Sequence, residues 1–140
     1  MPQIDFYVTK GKVAKFSLRT ACRLAEKAFH AGLQAHILTK DNQENVELDA
    51  LLWTFKDRSF VPHGISDTHD SAYPVSIGTL PSSEKTQILI NISTRLPENI
   101  QEYQRIAEII ENQNDSILAG RERYRFYREQ GFEPQHHEVS

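Results

Sequence analysis

The chain has 140 residues, of which 39% are hydrophobic and 25% charged, the balance of a soluble domain with a real core and not of a disordered chain. Lys and Arg number 16 against 19 Asp and Glu, a formal net charge of −3, which argues against a protein whose whole surface grips nucleic acid but leaves room for a local basic patch. Cys22 is the only cysteine, so neither an intrachain disulfide nor a cysteine-based zinc cluster is available, and that usage points to a reducing compartment, the cytoplasm.

The opening Met1-Pro2-Gln3-Ile4-Asp5 has none of the charged and apolar regions of a signal peptide, and no apolar run approaches the ~20 residues that cross a bilayer. No membrane partner is therefore expected. Residues 3–8 are rich in aromatic and β-branched types and predict a strand. After the polar turn Thr9-Lys10-Gly11-Lys12, Leu18, Ala21, Cys22, Ala25, Ala28 and Phe29 fall on one helical face, predicting a helix from about Ser17 to Ala31 with Ser17 as cap and Gly32 as stop. Residues 34–39 predict a second strand, so the order implies a βαβ crossover and parallel pairing.

Residues 44–55 predict a short helix with Leu48, Leu51, Leu52 and Phe55 on one stripe, and Trp53 about 100° away from it. Ser59-Phe60-Val61-Pro62-His63 is extended, with Pro62 marking an edge or exit. Residues 63–73 read as a polar loop, and 74–78 alternate as a strand. Residues 88–92 are nearly continuous apolar sequence, the pattern of a strand covered on both faces. A helix is expected after Pro97, with Ile100, Tyr103, Ala107 and Ile110 inward, and a last helix over about Asp115–Gln130. The whole predicts an open α/β fold, a mainly parallel sheet with helices on both faces, as one domain over residues 1–133 and a frayed tail over 134–140.

Such a sheet invites a nucleotide, yet the loop after the first strand holds a single glycine, Gly11, and matches neither the dinucleotide fingerprint nor the phosphate loop. The resulting expectation is a Rossmann-like fold without a nucleotide site and with no cofactor. His63, Asp67, His69 and Asp70 lie close in sequence and offer metal-ligating types, but such residues are common in polar turns and a solvated loop is the preferred reading. His136 and His137 read as surface residues, and Cys22 as buried packing. Glu108 and Glu111 read as parts of an acidic, solvated helix, which gives paired catalytic carboxylates no support. No catalytic residue is therefore expected.

The last helix is the most informative segment. Arg121, Tyr124, Arg125 and Arg128 fall within an arc of about 100°, a basic face around an aromatic ring in an otherwise acidic chain. Guanidinium forks suit carboxylates and phosphates, and an aromatic wall suits an apolar side chain. The face fits an acidic peptide ending in a hydrophobe, a nucleic-acid backbone, or simply a solvated surface. Trp53 and Phe60 are a second candidate, either as anchors for a protein partner or as a small cluster under the following loop.

Leu51-Leu52-Trp53, Ser59-Phe60-Val61-Pro62-His63, Ile88-Leu89-Ile90-Asn91-Ile92 and the closing Arg121-Glu122-Arg123-Tyr124-Arg125-Phe126-Tyr127-Arg128 with Gly131-Phe132 resemble, in that order, the chi subunit of bacterial DNA polymerase III. The resemblance covers nearly the whole chain. The stretch from Asn112 to Gly120 is shorter than in the family, and no role is carried over there. The resemblance implies a non-catalytic accessory subunit that binds the psi subunit of the clamp-loader assembly and the acidic C-terminal tail of the single-stranded-DNA-binding protein. It implies that Trp53 and Phe60 face psi, with a helicase-like partner competing for that surface in some members. It implies that Arg121, Tyr124 and Arg125 hold the tail, to which helical geometry adds Arg128. Tight direct nucleic-acid binding is not expected. The alternative is a nucleotide- or nucleic-acid-binding α/β protein that uses the arginine face.

Overall fold

A computed structural model describes residues 2–54, 62–65, 74–80 and 86–139. In chain order the elements are β1 (Gln3–Val8), α1 (Phe16–His30), β2 (Ala35–Leu38), α2 (Asn42–Thr54), β3 (His63–Ile65), β4 (Val75–Gly78), β5 (Ile88–Asn91), a 3-10 turn (Ile100–Glu102), β6 (Arg105–Ile110), α3 (Asn114–Glu129) and β7 (Gln135–Glu138). The strands form one sheet in the order β3-β4-β2-β5-β6-β1-β7, and every pairing is parallel.

Side-chain alternation divides the sheet into two faces. On one, Ala35, Ile37, Val75, Ile77, Ile90, Ala107 and Ile109 pack with Leu18, Ala21, Cys22 and Ala25 of α1 and Leu48 and Leu52 of α2. On the other, Ile4, Phe6, Leu89, Ile106 and Ile110 pack with Tyr127 and Phe132 at and beyond the end of α3. This burial on both faces explains the near-continuous apolar runs of β5 and β6. Cys22 is fully buried, and burial pushes its thiol up to about 12. The native protein at pH 8 is therefore expected to resist a thiol-disulfide reagent, with Cys22 reacting only as the chain unfolds; rapid stoichiometric labelling without denaturant would contradict this packing.

The structure corrects several sequence expectations. The α-helix expected directly after Pro97 does not form; only the 3-10 turn Ile100–Glu102 stands there. Asn99 takes a left-handed φ of 56°, Tyr103 is extended, and the run Ile106–Ile110 forms most of the central strand β6. The spacing of Ile100, Tyr103, Ala107 and Ile110 matched a helical period by coincidence, whereas a short apolar run covered on both faces has no period of its own. Glu108 accordingly lies in the core and not on a solvated helix. Ser17 is not the cap of α1. Lys15 holds that position, and the Ser17 amide donates to Glu111 Oε1 at 2.7 Å. The second helix starts at Asn42, two residues earlier than expected, because Asp41 Oδ1 accepts the Glu44 amide at 2.8 Å while Glu44 Oε1 accepts the Lys40 amide at 3.0 Å.

Residues 135–138 are not frayed but pair in parallel with β1 from Asp5↔Gln135 to Val8↔Glu138. His137 Nε2 lies 2.9 Å from Oδ1 of the buried Asp5, and its ring stacks on Tyr7 at 4.9 Å. Phe55, Phe60, Asp67, His69 and Asp70 lie outside the described residues.

Candidate functional site

In an open parallel sheet, the natural crevice lies beyond the carboxyl ends of two adjacent strands whose connections leave on opposite faces. Here those strands are β1 and β6. β1 leads into α1, which packs on the first face, and β6 leads into α3, which packs on the second.

On the α3 side of this switch point is a cavity of about 350 Å3. Phe6, Val8, Ile110, Ile117 and Gly120 give it an apolar floor, and Arg121, Tyr124 and His136 stand at its walls. Gly120 lets α3 approach the sheet closely, since a Cβ at this position would stand 2.6 Å from Ile110 Cδ1. Tyr124 is half-buried, its ring edge-on to Phe6 at 5.3 Å. Arg121 and Arg125 are exposed. Arg128 is exposed as well, but it lines a separate groove with Gly131, Phe132, Glu133, Pro134 and Gln135. The structure thus brings Arg121 and Tyr124 together, leaves Arg125 one turn along, and sets Arg128 roughly 10 Å from Arg121 along the helix axis.

The fourth arginine of the segment, Arg123, has a different task. It is 4% exposed and points inward, where its Nε donates to Glu108 Oε1 at 2.9 Å. Tyr127 Oη donates to Glu108 Oε2 at 2.7 Å, and Asn91 Nδ2 donates to Oε1 at 3.0 Å. Arg123 Nη1 also donates to the Thr94 carbonyl at 3.0 Å. Burial pushes the Glu108 carboxyl up, opposed by the Arg123 charge and these donors; burial, then the Glu108 charge, pushes the Tyr127 hydroxyl up. Arg123 and Tyr127 are four residues apart, so one carboxylate from β6 grips a full turn of α3 and turns Arg121 and Arg125 outward. Sequence reasoning missed this network. Its signal was the pair of polar residues, Asn91 and Glu108, set inside the apolar runs of β5 and β6.

The second candidate lies elsewhere. Trp53 lies in the last turn of α2, is 61% exposed, and meets His63 edge-on at 5.5 Å. Val46, one heptad earlier, is 63% exposed, and Ile65 on the edge strand β3 is 44% exposed, so an apolar ridge and a strand edge lie side by side. His63 is buried and its Nε2 sits 3.1 Å from Asp49 Oδ1, in place of the solvated loop expected there. Among the described residues, no group of three His, Cys, Asp or Glu side chains is placed to hold a metal, and no helix is long and apolar enough to cross a membrane. The Trp53 ridge and the α3 face lie on opposite faces of the sheet, with β3 and β6 four strand spacings apart, about 19 Å.

A profile of the family described as DNA polymerase III chi subunit, HolC, matches residues 1–135. The DNA polymerase III subunit chi of Pseudomonas aeruginosa is 35% identical over 140 residues, covering 99% of this chain and 98% of that protein. The subunit chi of Haemophilus influenzae is 25% identical over 131 residues, with 91% of each chain covered. That of Escherichia coli is 27% identical over 114 residues, covering 79% of this chain and 78% of the relative. With its all-parallel α/β sheet, this chain belongs to the DNA polymerase III chi subunit family, an accessory subunit of the complex that replicates DNA.

Proposed function

We propose that this subunit is a two-sided adaptor that holds the acidic C-terminal tail of the single-stranded-DNA-binding protein on α3 and the psi subunit on the Trp53 ridge. The observation that carries the first half is the apolar cavity of about 350 Å3 with Arg121 at its wall and Tyr124 beside it. A terminal hydrophobe fits its floor, and the guanidinium fork matches the free carboxylate next to that side chain. Arg125 and Arg128 extend the positive face toward an acidic run. The test is titration with a tail peptide carrying a free C-terminal carboxylate against the same peptide amidated. The free acid is expected to bind roughly tenfold or more tightly, since amidation removes the partner of the fork; equal affinities would remove Arg121 from the carboxylate-binding role.

The psi-facing half rests on the exposure of Trp53 beside β3, the edge strand among the described residues, with Phe60 as its second anchor by resemblance. Replacing Trp53 by Ala is expected to weaken psi binding by roughly tenfold or more while leaving tail binding within about twofold, because the two surfaces share no residue. Isothermal titration with each partner checks this, and parallel losses in a folded variant would refute separate docking faces. No catalytic step is assigned to either surface. The nucleotide alternative has less support, since Glu111 already occupies the Ser17 amide in the first turn of α1, where a phosphate would bind.

A further inference from the structure

We propose that the lysine-lined crevice on the α1 side of the switch point is a second subsite, which takes the acidic residues preceding the peptide end held on α3. This rests on the tail-binding reading above and extends it to residues outside α3. The crevice encloses about 580 Å3, and Lys12, Lys15 and Lys40 line it from the β1–α1 and β2–α2 loops. All three are exposed, and among the described residues none of them is in an ion pair. Two carboxylates also stand in its walls, Glu111, which accepts the Ser17 amide at 2.7 Å, and Glu44, which accepts the Lys40 amide at 3.0 Å. The crevice lining therefore carries three ammonium groups against two carboxylates, a local positive balance in a chain whose net charge is −3.

Continuity with the α3 pocket is built into the backbone. Glu111 and Asn112, between β6 and α3, line both cavities. Asn112 Nδ2 donates to the carbonyls of Lys10 at 2.9 Å and Gly11 at 3.2 Å, tying the lysine loop to the wall of the arginine pocket. An extended segment with its end beside Arg121 and Tyr124 passes over Asn112 into the lysines. The chemistry favours a peptide over phosphate. A phosphate held at the first turn of α1 would use its open backbone amides, and Glu111 already occupies the Ser17 amide. Ammonium groups on flexible stems around an open crevice instead suit successive carboxylates, which demand charge but no fixed fork geometry.

The test uses the full chain and two probes, a short apolar peptide ending in a free carboxylate and the same peptide preceded by a run of aspartates. At ~50 mM salt the wild type is expected to bind the longer probe roughly tenfold more tightly. The Lys15→Glu/Lys40→Glu double variant is expected to lose most of that ratio while its affinity for the short probe stays within about twofold. Lys27→Glu, in the last turn of α1, makes the same kind of charge change away from the crevice and is expected to keep the ratio. Equal affinity of the wild type for the two probes, or a ratio retained in the double variant, would overturn the subsite. Equal loss of both probes in the folded double variant would also overturn it, because the lysines would then act on the α3 pocket itself. A wild type that binds neither probe would remove the tail-binding reading, and the subsite with it. An oligothymidylate titration separates the other occupant: if the double variant loses DNA binding but keeps the longer probe, the crevice serves nucleic acid and the proposal falls.

Discussion

Arg121→Ala is expected to weaken binding of the acidic tail by roughly 30- to 100-fold, while Arg125→Ala costs about threefold and Arg128→Ala less than that. The gradient follows from where the three side chains stand. Of the three, Arg121 alone lines the apolar cavity, so in the proposed complex its guanidinium would meet the terminal carboxylate where the ligand's hydrophobe would exclude water. A charge-assisted hydrogen bond lost there is worth about 2–3 kcal/mol. Arg125 is exposed at the rim, where an ion pair contributes about 0.5–1 kcal/mol or less, and Arg128 lines a different groove. Calorimetric titration of the three single variants at one salt concentration checks the order. None of them should change the melting temperature, because none of the three side chains is buried. Equal losses at all three positions would mean that the helix acts as a diffuse positive field and that the cavity does not read the peptide end.

The largest stability effect is expected at Glu108. Its carboxylate is fully buried, with Arg123 Nε at 2.9 Å and Tyr127 Oη at 2.7 Å. Glu108→Ala leaves a buried guanidinium without its counter-ion and is expected to destabilise the fold by about 3–5 kcal/mol, a drop in melting temperature of roughly 10 °C or more for a domain of this size. Removing Glu108 together with its charged partner Arg123 and the Tyr127 hydroxyl behaves differently. The triple variant Glu108→Leu/Arg123→Met/Tyr127→Phe strands no charge, so it is expected to be more stable than Glu108→Ala even though it loses more hydrogen bonds. Thermal melts of the single and triple variants decide the matter. A Glu108→Ala protein that melts within about 2 °C of wild type would show that the network does not hold α3 to the sheet. Because this grip orients α3, a folded Arg123→Met protein should also bind the tail less tightly, although Arg123 does not reach the surface.

The prediction of helices over Ser17–Ala31 and Asp115–Gln130 came within one residue of α1 and α3 at each end: α1 carries a long apolar stripe of helical period, and each helix is followed by a glycine. Gly32 and Gly131 indeed take positive φ values of 75° and 93°, which only a residue without a side chain adopts freely. The position of Trp53 about 100° off the apolar stripe of its helix could be read from the period, but its exposure was settled only by the folded chain. The basic arc of α3 was legible, since it depends on nothing but the period of the helix. The missing glycine-rich loop could be read directly, and so could the parallel order implied by alternating strands and helices.

What needed the folded chain was everything that joins segments distant in sequence. β6 looked helical because its apolar residues lie on both sides, and only its place between β5 and β1 makes that pattern a strand. Four consecutive polar residues, Gln135 to Glu138, carried no strand signal, yet the free edge of β1, Asp5 and the Tyr7 ring hold them in register. The three outward arginines and the buried Arg123 are alike in sequence. Their roles part only because Glu108, 15 residues before Arg123, comes to rest beneath the helix. The nearness of Arg121 to Phe6, Val8 and Ile110 is likewise a property of the switch point between β1 and β6 and of no local motif. Local periodicity determined the elements and the charged face of α3, because both arise from one helix or one strand at a time. Tertiary packing decided the pocket, the buried network and the edge strand, because each requires partners supplied by other segments of the chain.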